Sequence, residues 1–256
     1  MTGSARTANA PTRPRLLSYA GRWGRARRWL PADARLVVDV GCAFGYGTAA
    51  LMAAGPRERR VIGVERDPGH VAEAARRFPW VTVVEGDAAE LPFPDGAVDA
   101  VTLLDVLEHV ADQDAVLAEV HRILRPGGML VVSVPHRGLL TAADSTNVYP
   151  ALQRRIASWL PMDPADDCDG GEHRHYTIEG LCAALGPRFE VDRVARTGTG
   201  VTELVHLGLL VLFKGLLRRP GAYHALLPLH LLVYLVDDLV PAGRAAYHLS
   251  ARAVAR

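Results

Sequence analysis

The stretch Val37-Val38-Asp39-Val40-Gly41-Cys42-Ala43-Phe44-Gly45-Tyr46-Gly47-Thr48 decides how the rest of the chain is read. Its β-branched start is what a strand buried on both faces needs. Gly41, Gly45 and Gly47 then let the backbone turn sharply and come close to a ligand with no Cβ in the way. A helix over residues 48–54 would aim its free N–H groups at that ligand. The stretch is therefore a ligand cradle at the carboxyl end of a first strand, where open α/β sheets place their sites.

Outward from the cradle, strands are expected at residues 36–40, 60–65, 81–85, 98–104, 129–134 and 189–194. Helices are expected at 16–30, 68–78, 113–124 and 177–185. Asp67 and Pro68 suit the cap and first position of the second of these helices, and Arg125-Pro126-Gly127-Gly128 reads as a turn. Alternation at this spacing gives an α/β, Rossmann-like, doubly wound parallel sheet. Residues 1–14 lack any period and read as a disordered arm. The main domain is placed at 15–200, an insertion rich in His, Asp and Pro at 136–176, and a leucine-rich helical extension at 201–256.

The chain has 256 residues, 49% of them apolar, and a net charge of +1, so it is globular with no overall pull toward nucleic acid. Eight arginines against Asp33 alone in residues 1–35 read first as a solvated basic segment. Cys42, Cys168 and Cys182 form no disulfide or zinc pattern. With no signal-peptide core at the N-terminus, a cytoplasmic location is expected, with the inner face of the membrane as an option.

Two nucleotide families use a strand, a glycine turn and an acid at the end of the next strand. A nicotinamide dinucleotide is disfavoured, because Asp39 would stand next to its pyrophosphate. Asp39, Glu65 and Asp87 close three successive strands. They suit an ammonium group, two ribose hydroxyls and an adenine amino group in turn. S-adenosylmethionine carries all three.

On these residues the chain resembles a class I S-adenosylmethionine-dependent methyltransferase of the type 11 group, over about residues 16–195. The matching blocks are Val38 to Gly45, Gly63-Val64-Glu65, Glu85-Gly86-Asp87-Ala88 with Leu91-Pro92-Phe93, Asp95 to Val101, Val106-Leu107-Glu108-His109-Val110, and Leu124 to Gly128. Ala43 departs from the family's usual glycine. The resemblance implies seven strands with the last antiparallel. It also implies a cofactor site of Asp39, Gly41, Cys42, Ala43, Gly45, Glu65, Arg66, Asp87, Ala88, Leu104 and Asp105, with Tyr19 either over the methionine end or in the core. Cys42 is expected to pack rather than attack.

Transfer from a sulfonium to oxygen or nitrogen calls for alignment and for a base. His109 is a candidate base, or else it caps a local turn, and His136 follows the fifth strand on the same rim. Asp144, Asn147, His173, His175 and Tyr176, in or near the insertion, are candidate acceptor contacts. The run from Gly171 to Thr177 resembles a segment of methyltransferases linked to bacterial glycan or secondary-metabolite clusters. The acidic run through Asp163, Asp166, Asp167, Asp169 and Glu172 has no metal-ligand spacing, so no metal is expected.

Residues 204–217 and 225–236 are apolar runs shorter than the ~20 residues that span a bilayer. They pack on the sheet, form a homodimer interface, or lie in a membrane surface, and part of 204–213 could be the seventh strand. The functional expectation is methyl transfer from S-adenosylmethionine, most readily to oxygen, on a small-molecule, glycan-linked or lipid-linked acceptor. The rival is a cofactor-binding scaffold without turnover.

Overall fold

The computed structural model describes residues 21–56, 58–138, 141, 144–156, 174–237 and 240–256. Tyr19, His173 and the acidic run at 163–172 lie outside the described residues.

Helix α1 (Gly21–Trp29) leads into β1 (Leu36–Val40), the cradle, and α2 (Tyr46–Ala54). Then come β2 (Arg60–Glu65), α3 (Pro68–Arg77), β3 (Thr82–Glu85), β4 (Val98–Leu104), α4 (Gln113–Ile123) and β5 (Leu124–Pro135). Asp67 caps α3 by accepting from the N–H groups of Gly69 and His70. The second half runs α5 (Ser145–Ile156), α6 (Ile178–Leu185), β6 (Phe189–Thr197), α7 (Val201–Leu209) with a π-helical continuation Leu210–Leu216, α8 (Pro220–Asp237) and β7 (His248–Ala255).

The seven strands form one sheet in the order β3-β2-β1-β4-β5-β7-β6. The pairs from β3 across to β5 are parallel, and β7 is antiparallel to both β5 and β6. Both faces are covered, so Val37, Val38, Val101, Leu103, Leu130 and Val132 are fully buried. On one face α4 contributes Val116, Leu117, Val120 and Ile123 to the core, each worth about 1.5–3 kcal/mol when removed from water.

Two expectations change. The antiparallel strand is His248–Ala255, whereas residues 204–213 are helical, so the helical extension ends with α8 and the chain then returns to the sheet. The alternation in β7 is muted because its buried positions are small, as in Ala251, Ala253 and Ala255. The turn at Arg125–Gly128 lies within β5, as an irregularity where Val98 pairs Leu124 but Ala100 pairs Met129.

Two polar clamps hold the elements around the site. Buried Arg25 donates to Ser250 Oγ at 2.9 Å and Thr197 Oγ1 at 2.5 Å, fixing α1 on β6 and β7. Asp237, at the end of α8, accepts from the N–H groups of Thr199 (2.9 Å) and Gly200 (3.2 Å) and from the Thr202 hydroxyl (3.0 Å), joining α8 to the start of α7.

Candidate active site

The carboxyl ends of β1, β2 and β4 open into a cleft of about 260 Å³ lined by Gly41, Ala43, Glu65, Arg66, Asp87, Ala88, Asp105 and His109, with Val106 and Val110 as floor. A second hollow of about 260 Å³ continues it beside Asp39, Cys42 and Leu104, under Arg22 and Trp23 of α1. Gly41, Ala43 and Asp105 border both. Together they make one elongated cradle with an aromatic roof at one end.

The backbone is shaped for close approach. Gly41 has φ +69°, and a Cβ there would lie 2.4 Å from Val106 Cγ2. Ala43 has φ +44° and Asp105 φ +58°, left-handed values that cost a non-glycine residue about 1–2 kcal/mol. That is the physical meaning of Ala43 standing where glycine is usual. Asp105 is strained at the strand end, and its Oδ1 is buried without a hydrogen-bond partner. Strain of this kind gathers at ligand sites.

The carboxylates are held from behind. Asp39 is buried, accepting from Thr102 Oγ1 at 2.6 Å and Thr48 Oγ1 at 2.8 Å. Burial raises its pKa, opposed by these hydroxyls and by Arg22. Glu65 accepts from Ala43 N–H at 2.8 Å and Asp67 N–H at 3.0 Å. Each of its oxygens keeps a lone pair for a ligand hydroxyl. Asp87 accepts from Ala89 N–H at 2.8 Å, and it is exposed at the cleft mouth. Burial and the nearby Asp39 carboxylate push the Cys42 thiol up, so it stays protonated.

Of the eleven residues expected at the cofactor, ten line the cradle; the exception is Gly45. It starts α2 at φ +76°, and a Cβ there would touch Ala74 of α3 at 3.1 Å, so it sets packing between helices. His70, whose ring lies 4.4 Å from that of Phe44, and Arg22 were not legible as site residues.

Behind Asp105 and His109 lies a third cavity of about 310 Å³, walled by Arg22, Glu108, Ser145, Glu203, His206, His230, Tyr234, Tyr247 and His248. Arg22 pairs with Asp105 at 2.9 Å, hydrogen-bonds Tyr234 and so joins the cradle to this cavity. Ser145 donates to Glu203 at 2.7 Å and contacts His206 Nδ1 at 3.0 Å, and the His206 and His230 rings stack at 4.8 Å. Burial, with His206 adding to it, lowers the pKa of His230, so its ring is neutral near pH 7.

The expected acceptor residues sort differently. His136 is buried with Nδ1 on the Ala246 carbonyl at 2.9 Å and lines none of these three spaces, so it supports β5 and β7 instead of serving as a base. Tyr176 is buried against Leu107 O at 3.2 Å and fastens α6 to the sheet. His175 and Asp144 pair at 2.9 Å behind Tyr247, one layer removed from the cavity. Asn147 sits in the first turn of α5, its N–H on Asp144 O at 3.2 Å.

A charged cradle with a left-handed Gly41, a carboxylate at each strand end and a strained Asp105 suits the adenosyl and amino-acid parts of S-adenosylmethionine. Residues 38–132 match the family described as "Methyltransferase domain". A probable S-adenosylmethionine-dependent methyltransferase of Mycolicibacterium smegmatis is 41% identical over 122 residues, covering 48% of this chain and 46% of that protein. A demethylmenaquinone methyltransferase of Beutenbergia cavernae is 41% identical over 97 residues, covering 38% and 39%. The chain thus spans less than half the length of these curated relatives. The structure of a geranyl diphosphate methyltransferase in complex with S-adenosylmethionine superposes with a TM-score of 0.56, at 18% identity, over 91% of this chain and 84% of that one. Residues 38–132 thus form a methyltransferase domain similar to those of the class I S-adenosylmethionine-dependent methyltransferases, and S-adenosylmethionine is its cofactor.

Proposed function

We propose that the protein transfers the methyl group of S-adenosylmethionine to a hydroxyl oxygen of a polar, glycan-type headgroup carried on an apolar anchor. The observation that carries this is the meeting of cradle and third cavity at Asp105 and His109. A donor in the cradle and an acceptor in the cavity would face each other across that boundary, and α1 would keep water from it. Asp39, Asp105 and Arg22 would hold the amino-acid end, Glu65 the ribose and Asp87 the adenine. The wall of carboxylates, imidazoles and phenols suits a hydroxyl-bearing acceptor. His109, exposed at the boundary, would exchange a proton with solvent.

The apolar anchor is inferred from the outer face of α7 and α8. Leu204, Leu212, Leu216, Leu217, Leu229 and Leu232 are exposed there, with Arg218 and Arg219 exposed at the turn between the helices. No helix among the described residues is long and apolar enough to cross a membrane. An apolar face edged by arginines suits the plane of an anionic bilayer, and the arginines favour this over a homodimer interface. Nothing in the charge pattern calls for nucleic acid.

Isotopically labelled methyl donor, incubated with the protein and the lipid and aqueous fractions of a bacterial extract, tests the reading by mass spectrometry. The expected product is a methyl ether in the lipid fraction. Label on nitrogen or carbon refutes oxygen transfer. Donor binding with no S-adenosylhomocysteine formed favours the scaffold alternative.

A further inference from the structure

Glu108 follows β4 by four residues and is 2% exposed, yet it lines the third cavity. Its Oε2 has no hydrogen-bond partner. Two other buried polar atoms on the same wall are also without one: Asp105 Oδ1 and His230 Nδ1. Buried polar atoms are nearly always satisfied, because leaving one unpaired costs about 1–3 kcal/mol. Three such atoms around one cavity mark a place where a ligand supplies the missing donors. The stacked His206 and His230 stand across the same space.

We propose that Glu108, and not His109 or His136, is the base that takes the proton from the acceptor hydroxyl; this rests on the oxygen-transfer reading above. In the step, an oxygen lone pair of the acceptor forms the O–CH3 bond as the C–S bond breaks. The C–S electrons return to sulfur, leaving a neutral thioether. The hydroxyl proton passes to Glu108 Oε2, which becomes a carboxylic acid. Its later loss to solvent restores the carboxylate.

The surroundings make Glu108 a stronger base than an ordinary carboxylate. Burial comes first and Asp105 second in raising its pKa, with Asp144 adding to them and Arg22 opposing. Tyr176 just before α6, Glu203 and His206 of α7, His230 and Tyr234 of α8, Tyr247 just before β7 and His248 of β7 complete the titratable groups around it among the described residues, with His109 on the solvent side. A raised pKa leaves Glu108 protonated in acid and reactive only above that pKa. Turnover should therefore rise with pH through the Glu108 titration. His136 is engaged on Ala246 O, and His109 points to the exposed boundary.

The test uses the full chain, wild type against Glu108→Gln and His109→Ala. With S-adenosylhomocysteine bound, infrared titration of the wild type should show a carboxylic-acid band of Glu108 that outlasts those of the surface carboxylates as pH rises, as burial-raised carboxyls do. It should be missing in Glu108→Gln. A band that disappears with the surface carboxylates near pH ~4 overturns the assignment. With labelled donor and methyl and octyl glycosides as hydroxyl probes, Glu108→Gln should lose about 10²–10⁴-fold in kcat together with the rising pH limb. It should keep wild-type donor affinity and melting temperature. His109→Ala should keep the limb. Wild-type turnover with Glu108→Gln within twofold and an unchanged pH profile overturns the role of Glu108 alone. A wild type that methylates none of the glycosides and no hydroxyl of the extract overturns oxygen transfer, and the base falls with it.

Discussion

Replacing Gly41 with alanine tests the cradle most directly, because two separable costs are readable from its geometry. At φ +69° an alanine bears the left-handed penalty of about 1–2 kcal/mol. Its Cβ would also stand 2.4 Å from Val106 Cγ2 and 3.3 Å from Cγ1, so Val106 must move. Val106 is buried in the core and floors the cleft, and overpacking there adds about 1–3 kcal/mol. Gly41→Ala should thus lose about 2–5 kcal/mol in urea unfolding. Val106→Ala alone should lose about 1.5 kcal/mol or more through the buried methyls it removes. In the double variant the clash is gone while the backbone strain stays. Its loss should fall short of the sum of the single losses by about 1–3 kcal/mol, the overpacking cost. Titration calorimetry with S-adenosylmethionine should show the same partial rescue of affinity. Additivity of the two losses within about 0.5 kcal/mol refutes the contact as the cause.

Glu65→Ala removes the acceptor for Ala43 N–H and the acceptor proposed for the donor's ribose, and donor affinity measured calorimetrically should fall about 10–100-fold, the worth of a hydrogen bond to a charged group. Ala43→Gly relieves φ +44° but loosens the unfolded chain, so urea unfolding should show a net gain of about 0.5–1 kcal/mol. Burial alone would raise the pKa of Asp237, but its bonds to Thr199, Thr202 and Gly200 outweigh it and hold it low. Its contribution is therefore complete above the unfolded carboxylate value of ~3.9 and fades as pH falls through the lower folded value. Hydrogen exchange in α7 and α8 should rise below about pH 4, and Asp237→Asn should remove that dependence. Leu229→Asp with Leu232→Asp should abolish flotation with anionic liposomes while leaving the melting temperature within a few degrees, since both side chains are exposed; flotation equal to wild type rejects the membrane face.

The first five strands and the cradle were legible because their signals are local. Each strand is a short β-branched run, and each turn carries its glycine or proline within a few residues. The antiparallel strand was not legible. His248–Ala255 pairs with β5 across more than a hundred residues of chain, and its small buried alanines leave little periodic contrast. The third cavity was hidden for a related reason. Its wall draws on α1, the ends of β4 and β5, α5, α7, α8 and β7, so no spacing in the sequence brings Ser145, Glu203, His206 and His230 together. Within Glu108-His109 the histidine attracts attention by its usual pKa, but the turn after β4 sends the glutamate inward and the histidine out.

The α7–α8 pair gains its meaning from being inverted relative to an ordinary surface hairpin. Such a hairpin buries leucines and exposes polar groups. Here the side facing the third cavity carries Thr202, Glu203, His206, His230 and Tyr234; Leu210 is buried with Tyr149 and Tyr223, and Leu204, Leu212, Leu216, Leu217, Leu229 and Leu232 face outward. The low exposure of Lys214, whose Nζ lies 4.9 Å from the Tyr223 ring centre, fits the same inversion. The pair is held by this small apolar cluster and by polar bonds: Asp237 to α7, Ser145 to Glu203, and His206 to Tyr223 at 2.8 Å. A hairpin held this way has two uses for its two faces. The inner face can read hydroxyls beside the methyl donor, and the outer face can rest on the apolar phase from which an anchored acceptor arrives. Moving the outer leucines inward would fill the cavity, and moving the histidines outward would strip it of acceptors, so the arrangement suits the proposed acceptor, a polar headgroup on an apolar anchor.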